Sequence, residues 1–319
     1  MNKEILKKSQ SLIGLFLLCL IISLLSDKFL TETNLWNVLR QISVNVCISV
    51  GMTLVILTSG IDLSVGSVLA FSSAVGVGLL KNGLTFDRFD TFMGFTVLGC
   101  VLITLLVGML LGLFNGWVIT KFALPPFVAT LAMLTMARGL TMLYTKGIPI
   151  SNLGNSFEMI GSGWFLGIPI PVWISAFVVI LMLFLTKKTS FGRHIYAIGG
   201  NEKAALLSGV NVSKVKWLVY GISGIMAAIG GILVSSRLNS AQPNAGTSYE
   251  LDSIAAVVIG GTSLSGGVGT ITGTVIGAVI IGVLNNGLVL LNVSPFWQQV
   301  VKGLVILLAV IIDRRSKRK

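Results

Sequence analysis

Apolar residues run along this chain in long, nearly unbroken stretches, without the alternation of a half-buried strand or the one-sided stripe of a surface helix. They fall near residues 11–25, 42–57, 63–80, 92–119, 127–144, 172–185, 218–235, 251–260, 271–291 and 297–312. A helix that crosses a bilayer takes about 20 apolar residues, with roughly 17 as a lower limit. Several stretches are shorter, so flanking polar residues complete them or they do not cross fully. The expectation is an all-α polytopic membrane protein of ten transmembrane or partly broken helices, eight or nine if the short ones stop inside. Two stretches look broken. Residues 57–67 (LTSGIDLSVGS) place Gly60, Asp62, Ser64 and Gly66 between apolar runs, and residues 260–269 (GGTSLSGGVG) are rich in glycine and uncharged. Unwound backbone at membrane depth survives only where protein or a water-filled cavity satisfies it.

Composition agrees: 54% of residues are hydrophobic and 11% charged, with a mean hydropathy of +0.93. The net charge of +12 invites a nucleic-acid reading, but its placement argues against one. Lys3, Lys7 and Lys8 precede the first stretch. Arg314, Arg315, Lys317, Arg318 and Lys319 follow the last, and six more cations lie in the central segment 186–217. Basic flanks of this kind mark cytoplasmic loops, so both termini and the central segment are expected in the cytoplasm. The N-terminus is similar to a signal sequence but shows no small-x-small cleavage site, so an uncleaved first span is expected. Cys19, Cys47 and Cys100 are scattered and read as small core residues. His194, the one histidine, excludes a histidine metal cluster.

Two cytoplasmic termini require an even number of spans. Ten divide into halves of five, and an odd number per half turns the second half over. Gly108, Gly112 and Gly116 recur at a spacing of four, followed by Pro125, Pro126 and Phe127. Gly269, Gly273 and Gly277 repeat the spacing, followed by Pro295 and Phe296. Such spacing lines one helix face and lets a neighbour approach. It fits two inverted five-helix halves, with a substrate route at the repeat interface, and equally fits close packing alone.

The central segment contains a short helix with legible ends. Asn201 suits the N-cap, Glu202 the positive end, Ala204, Ala205, Leu206 and Leu207 the interior, and Gly209, after Ser208, the left-handed residue beyond it. A helix of about two turns is marginal alone in water, so a docked surface would complete it. The chain has no phosphate-cradling G-x-x-x-x-G-K-[ST], no H-E-x-x-H and no G-x-S-x-G. Energy for uphill movement would therefore come from a partner that changes shape against this helix.

Candidates for a polar route are Asn45, Asp62, Ser64, Asn115, Asn285 and Asn286, polar groups in apolar context. For Asp62 the alternative is a helix cap at the cytoplasmic interface, and for each asparagine a hydrogen bond between helices. Arg138 and Lys302 lie inside spans, where snorkelling or pairing with a carboxylate is the expected role.

Three blocks carry a resemblance: GMTLVILTSGIDLSVGSVLA (51–70), YAIGGNEKAALLSGVNVSKVK (196–216) and SAQPNAGTSYELDSIAAVVIGGTSLSGGVGT (240–270). Together they resemble the permease subunits of bacterial ATP-binding-cassette importers for ribose and related monosaccharides, over residues 11–313. The resemblance implies an inner-membrane permease, one transmembrane domain over 1–319, acting as a homodimer in the lipid bilayer. It implies a cytoplasmic ATPase that binds ATP and Mg, a periplasmic sugar-binding protein, and a monosaccharide substrate. It also implies no enzymatic role or cofactor for this chain, and no nucleic-acid partner. The family's coupling helix matches the segment with Asn201, Glu202, Ala204, Ala205, Leu206, Ser208 and Gly209, within the loop 186–217. Two other readings are an ion-coupled secondary sugar transporter, which would need buried carboxylates or cation sites and has only Asp62, Glu250 and Asp252 as near candidates, and a membrane scaffold or enzyme subunit without transport.

Overall fold

Peptide groups at membrane depth have no water to bond, so long apolar runs close their hydrogen bonds internally as helices. The computed structural model describes residues 3–86 and 91–317; Arg318 and Lys319 of the basic tail lie outside the described residues. Ten helices overlap the ten apolar stretches: α1 (Lys3–Leu25), α2 (Glu32–Leu57), α3 (Val65–Asn82), α4 (Val97–Lys121), α5 (Pro126–Thr145), α7 (Ile170–Lys188), α10 (Val212–Arg237), α11 (Tyr249–Ile259), α12 (Ile271–Leu290) and α13 (Pro295–Lys317). Three shorter helices lie between them: α6 (Asn155–Ser162), α8 (Ser190–Gly200) and α9 (Glu202–Leu207). Among the described residues seven helices are long and apolar enough to cross a membrane: α2, α3, α4, α5, α7, α10 and α12. Both segments that read as broken interrupt the helices: 58–64 is non-helical between α2 and α3, while Leu57 and residues 65–67 of the first segment belong to those helices, and all of 260–269 is non-helical between α11 and α12. α5 and α13 each start on a proline, Pro126 and Pro295, where the missing N–H costs nothing.

The chain forms two compact units. Unit 1 is Met1–Gly60, Ser175–Val212 and Leu251–Lys319; unit 2 is Ile61–Ile174 and Ser213–Glu250.

In unit 2, α4 lies antiparallel to both α3 and α10. Gly108, Gly112 and Gly116 bring its backbone onto that of Gly224, Tyr220 and Trp217 in turn, so that a methyl group on any of them would collide. Gly76 of α3 sits against Thr104 and the Cys100 carbonyl of α4. α5 covers α3, and Thr130 on α5 accepts from the Leu63 N–H at 3.1 Å. At the other end of the unit, strand Ile150–Ser151 pairs antiparallel with Ser240–Ala241. There Phe157 of α6 is fully buried in a core with Val77 and Cys100, and the Ser236 hydroxyl accepts from the Gly161 N–H at 2.7 Å.

In unit 1 the central helix is α12. Its Gly273 and Gly277 lie against the backbone of Gly260 and Ala256 at the end of α11. On its other flank Thr274 shares a 2.7 Å hydrogen bond with Thr53 of α2, and Gly282 meets the Ile42 side chain. Here too both neighbours run antiparallel. Gly269 does not belong to the helical glycine face that its spacing suggests, because α12 starts two residues later.

If α1–α5 are set beside α7 and α10–α13, α4 corresponds to α12, α3 to α11 and α10 to α2. Within its unit α4 is packed by α3 and α10, and α12 by α11 and α2. Each central helix thus takes one neighbour from its own half of the sequence and one from the other.

Candidate functional site

The central basic segment is more structured than a single short helix. α8 is capped by Thr189, whose hydroxyl accepts from the Gly192 N–H at 3.2 Å, and it buries Ile195 and Ile198. α9 forms with the ends its residues predict. The Asn201 side-chain oxygen accepts from the Ala204 N–H at 3.0 Å, and Gly209 takes φ +85°. The N–H groups of Gly209 and Val210 bond back to Leu206 and Ala205. Ala205 is buried against the protein, while Leu206 is 61% and Leu207 89% exposed. The outward face of α9 is therefore carried by the two leucines, and Leu207, a residue singled out only as a helix former, is its most prominent side chain.

α8 rests on the glycine-rich segment 260–269. Gly199 lies so close to the Leu57 carbonyl and to Gly267 that no side chain fits there. The segment is an ordered loop. Ser263 N–H bonds the Val268 carbonyl at 2.8 Å, Gly266 N–H bonds the Ser263 carbonyl at 3.0 Å, and Gly266 and Gly267 adopt φ of +83° and +71°. Those angles are cheap for glycine alone, which explains the density of glycine here. The loop is tied to the end of α2 by Gly267 N–H to the Leu57 carbonyl at 3.0 Å and by the Ser59 hydroxyl to the Ser265 carbonyl at 2.8 Å. It is tied to α8 by the Tyr196 hydroxyl, which donates to the Gly269 carbonyl at 2.9 Å.

The polar-route candidates fall into separate groups. In unit 2, Asp62, Ser64 and Asn115 come together, all buried. One Asp62 carboxylate oxygen accepts from the Ser64 N–H at 3.0 Å and the Ser64 hydroxyl at 2.6 Å; the other accepts from Ser223 at 2.9 Å. Asn115 donates to the Ser64 oxygen at 3.0 Å. Asp62 thus holds the backbone N–H of Ser64, the residue just before α3, and ties it to Ser223 of α10. Arg138 grips the carbonyls of Pro243 and Ala245 at 2.8 and 2.9 Å. In unit 1, Asn285 donates to Asp252 at 3.2 Å, and Lys302 pairs with the same carboxylate oxygen at 2.9 Å, the carboxylate pairing expected of it. The Asn285 side-chain oxygen is buried without a partner. Asn286 exchanges reciprocal amide bonds with Asn34 at 2.9 and 3.1 Å. Asn45 is buried on α2. Ser223 and Asn34 are the partners that the sequence does not announce, because each is brought in across a long separation in the chain, and Asp252, legible as a candidate buried carboxylate, gives no local sign of its pairing with Asn285 and Lys302.

These features define a multi-pass helical membrane protein: apolar helices in two packed units, with a capped helix held on a structured loop. The family of branched-chain amino acid transport system / permease components matches residues 34–310, and the chain belongs to it. The chain is 52% identical to the ribose import permease protein RbsC of Bacillus subtilis, over 98% of its length and 94% of that protein. It is 48% identical to RbsC of Escherichia coli K12, over 99% of its length and 96% of that protein. To the xylose transport system permease protein XylH of Haemophilus influenzae it is 36% identical, over 91% of each chain.

Proposed function

We infer that this chain is the permease subunit of an ATP-driven importer that moves ribose, or a closely related monosaccharide, from periplasm to cytoplasm. The observation that carries the reading is the 52% identity to a ribose import permease over 98% of the chain, against 36% to a xylose permease. ATP and Mg would be bound by a separate cytoplasmic ATPase, and sugar would be delivered by a binding protein outside. The permease works as a homodimer in the inner membrane, with both termini and the loop 186–217 in the cytoplasm. The basic residues of the termini and of this loop support that orientation.

The ATPase docks on α9. Support comes from the capped ends of a helix too short to be stable alone and from the exposure of Leu206 and Leu207 at its tip. Asn201, Glu202, Ser208 and Gly209 shape the helix, Ala205 keeps it slim against the protein, and Ala204 lies on its exposed side. A monosaccharide is polar all over, so its route needs hydrogen-bonding groups that hold it weakly enough to let go. Asn45, Asp62, Ser64, Asn115, Asn285 and Asn286 are proposed for that route. Among them Asn285 has the clearest spare capacity, since its oxygen accepts no bond.

The test is uptake of labelled ribose into proteoliposomes holding this chain with its ATPase and binding protein. Uptake is expected only with ATP inside the compartment that faces the ATPase, and is lost when either partner is omitted. Uptake by this chain alone under a sodium or proton gradient overturns the reading in favour of a secondary transporter.

A further inference from the structure

We propose that the glycine-rich loop 260–269 is the transmission element between the ATPase-docking helix and the transmembrane core of unit 1, and that Tyr196 is its positioning residue. This inference rests on the importer reading above. α9 is 6 residues long and joins α8 through Asn201, which ends one helix and caps the other. A push on α9 is therefore delivered to the last turn of α8. That turn has no side chain between it and its support, for Gly199 lies directly on the Leu57 carbonyl and on Gly267. Glycine-on-glycine contact removes the slack that side-chain rotamers would give, so displacement of α8 displaces the loop.

The loop has two attachments on its far side. Ser59 and the Leu57 carbonyl hold Ser265 and Gly267 to the end of α2. Gly269 immediately precedes Thr270, whose hydroxyl caps α12 by accepting from the Gly273 N–H at 3.1 Å. The Tyr196 hydroxyl bonds the Gly269 carbonyl, one residue before that cap. The bond thus connects α8 to the first turn of the helix that carries Gly273, Gly277 and Asn285 in unit 1. The Leu57 contact resists motion while the tyrosine bond pulls on the start of α12. A loop with positive φ at Gly261, Gly266 and Gly267 turns without the steric penalty that other residues would impose. Tyr196 makes this link through its hydroxyl alone, which allows it to be removed without disturbing the ring.

The experiment compares Tyr196→Phe and Ser59→Ala with the unaltered protein in proteoliposomes that contain the ATPase and binding protein. Three quantities are read: sugar moved, ATP hydrolysed, and ATPase recovered with the permease on purification. For Tyr196→Phe the ATP consumed per sugar is expected to rise about two- to tenfold, the range that loss of one net hydrogen bond gives. ATPase recovery should stay unchanged. Ser59→Ala, which removes one of the two ties between the loop and the end of α2 and leaves α8 and α9 intact, should move the ratio in the same direction. An unchanged ratio in both variants overturns the proposal. So does a fall in ATPase recovery that matches the fall in transport, because Tyr196 would then serve only to hold the docking helix in shape. If the unaltered protein shows no ATP-driven uptake, the importer reading itself has failed, and that outcome is separate from the other two.

Discussion

The two central helices, α4 of unit 2 and α12 of unit 1, carry the same glycine spacing and bury it against different neighbours. In unit 2 the seam of backbone contact runs between α4 and the long helix α10, through Gly108, Gly112 and Gly116. In unit 1 it runs between α12 and the short helix α11, through Gly273 and Gly277, and the contact with the long helix α2 is made by side chains. α11 has 11 residues and ends at the loop 260–269, so the unit 1 seam closes on a turn where the unit 2 seam closes on continuous helix. Equal spacing in sequence therefore specifies close approach, but which flank is approached depends on what the chain offers there. The polar groups differ in the same sense. Asp62 in unit 2 is satisfied by hydroxyls and an N–H, whereas Asp252 in unit 1 takes an amide and a lysine.

The largest effect should come from breaking that last distinction. Lys302→Met leaves the nearly buried Asp252 carboxylate without its cation. Removing one partner of a buried pair costs about 3–5 kcal/mol, so the thermal midpoint of the detergent-solubilised permease should drop sharply. Adding Asp252→Asn should recover most of the loss. Ser223→Ala in unit 2 removes one of the bonds to Asp62 and should cost less, about 1.5–3 kcal/mol for a bond to a charged group. Equal losses in the two units would mean that the lysine adds nothing to the cluster.

The seams give the next effect. At Gly112 a methyl group would meet the Tyr220 carbonyl, which is fixed in the helix ladder of α10. At Gly282 it would meet Cγ1 of the Ile42 side chain, which shifts more readily than a carbonyl held in a helix ladder. Overpacking a core costs about 1–3 kcal/mol, and Gly112→Ala should sit in that range while Gly282→Ala falls below it. Gly112→Leu should prevent recovery of folded protein. Should Gly282→Ala prove the costlier of the two, the side-chain flank of unit 1 is as rigid as a backbone seam.

Much of this was legible in the sequence. The apolar stretches, the break at 57–67, the glycine loop and both ends of α9 follow from residues that act within a turn or two of themselves, such as Asn201 on Ala204. α8 was also readable, since Thr189 precedes Phe191, Ile195 and Ile198 at helical spacing, but the density of charge around it obscured the pattern. What the sequence does not display is partnership at a distance. Nothing local to Asn286 points to Asn34, nothing near Ser223 points to Asp62, and nothing in Ile150–Ser151 announces Ser240–Ala241. The exchange of α2 and α10 between units is of this kind, because a helix face suited to close packing does not name the helix that will cover it. The site suffered most from this. The six polar-route candidates stand out by polarity in apolar context near the broken or repeated segments, and neither feature shows that Asp62, Ser64 and Asn115 join one hydrogen-bonded group while Asn285 and Asn286 each join another.

The smallest effect tests the side-chain flank of unit 1 at one of those candidates. Asn286 and Asn34 exchange their amides across α12 and α2. Hydrogen bonds between helices in a bilayer are worth about 0.6 kcal/mol on average in double-mutant cycles. If the pair serves packing, Asn34→Ala and Asn286→Ala should each lower the thermal midpoint slightly, and the double variant should cost no more than Asn34→Ala alone, which also removes the bond from Asn34 to the Phe29 carbonyl at 2.9 Å. Transport per folded permease should then be unchanged in all three. If Asn286 also meets the sugar, Asn286→Ala should slow uptake while Asn34→Ala, which frees the Asn286 amide, should not. The comparison of the two single variants therefore separates the roles at one position, because both break the same bond and only one removes a group that the solute could use. Matching transport losses in both would tie the rate to the α2–α12 contact itself, and would make this side-chain flank, in contrast to the backbone seam of unit 2, a part of the protein that moves during transport.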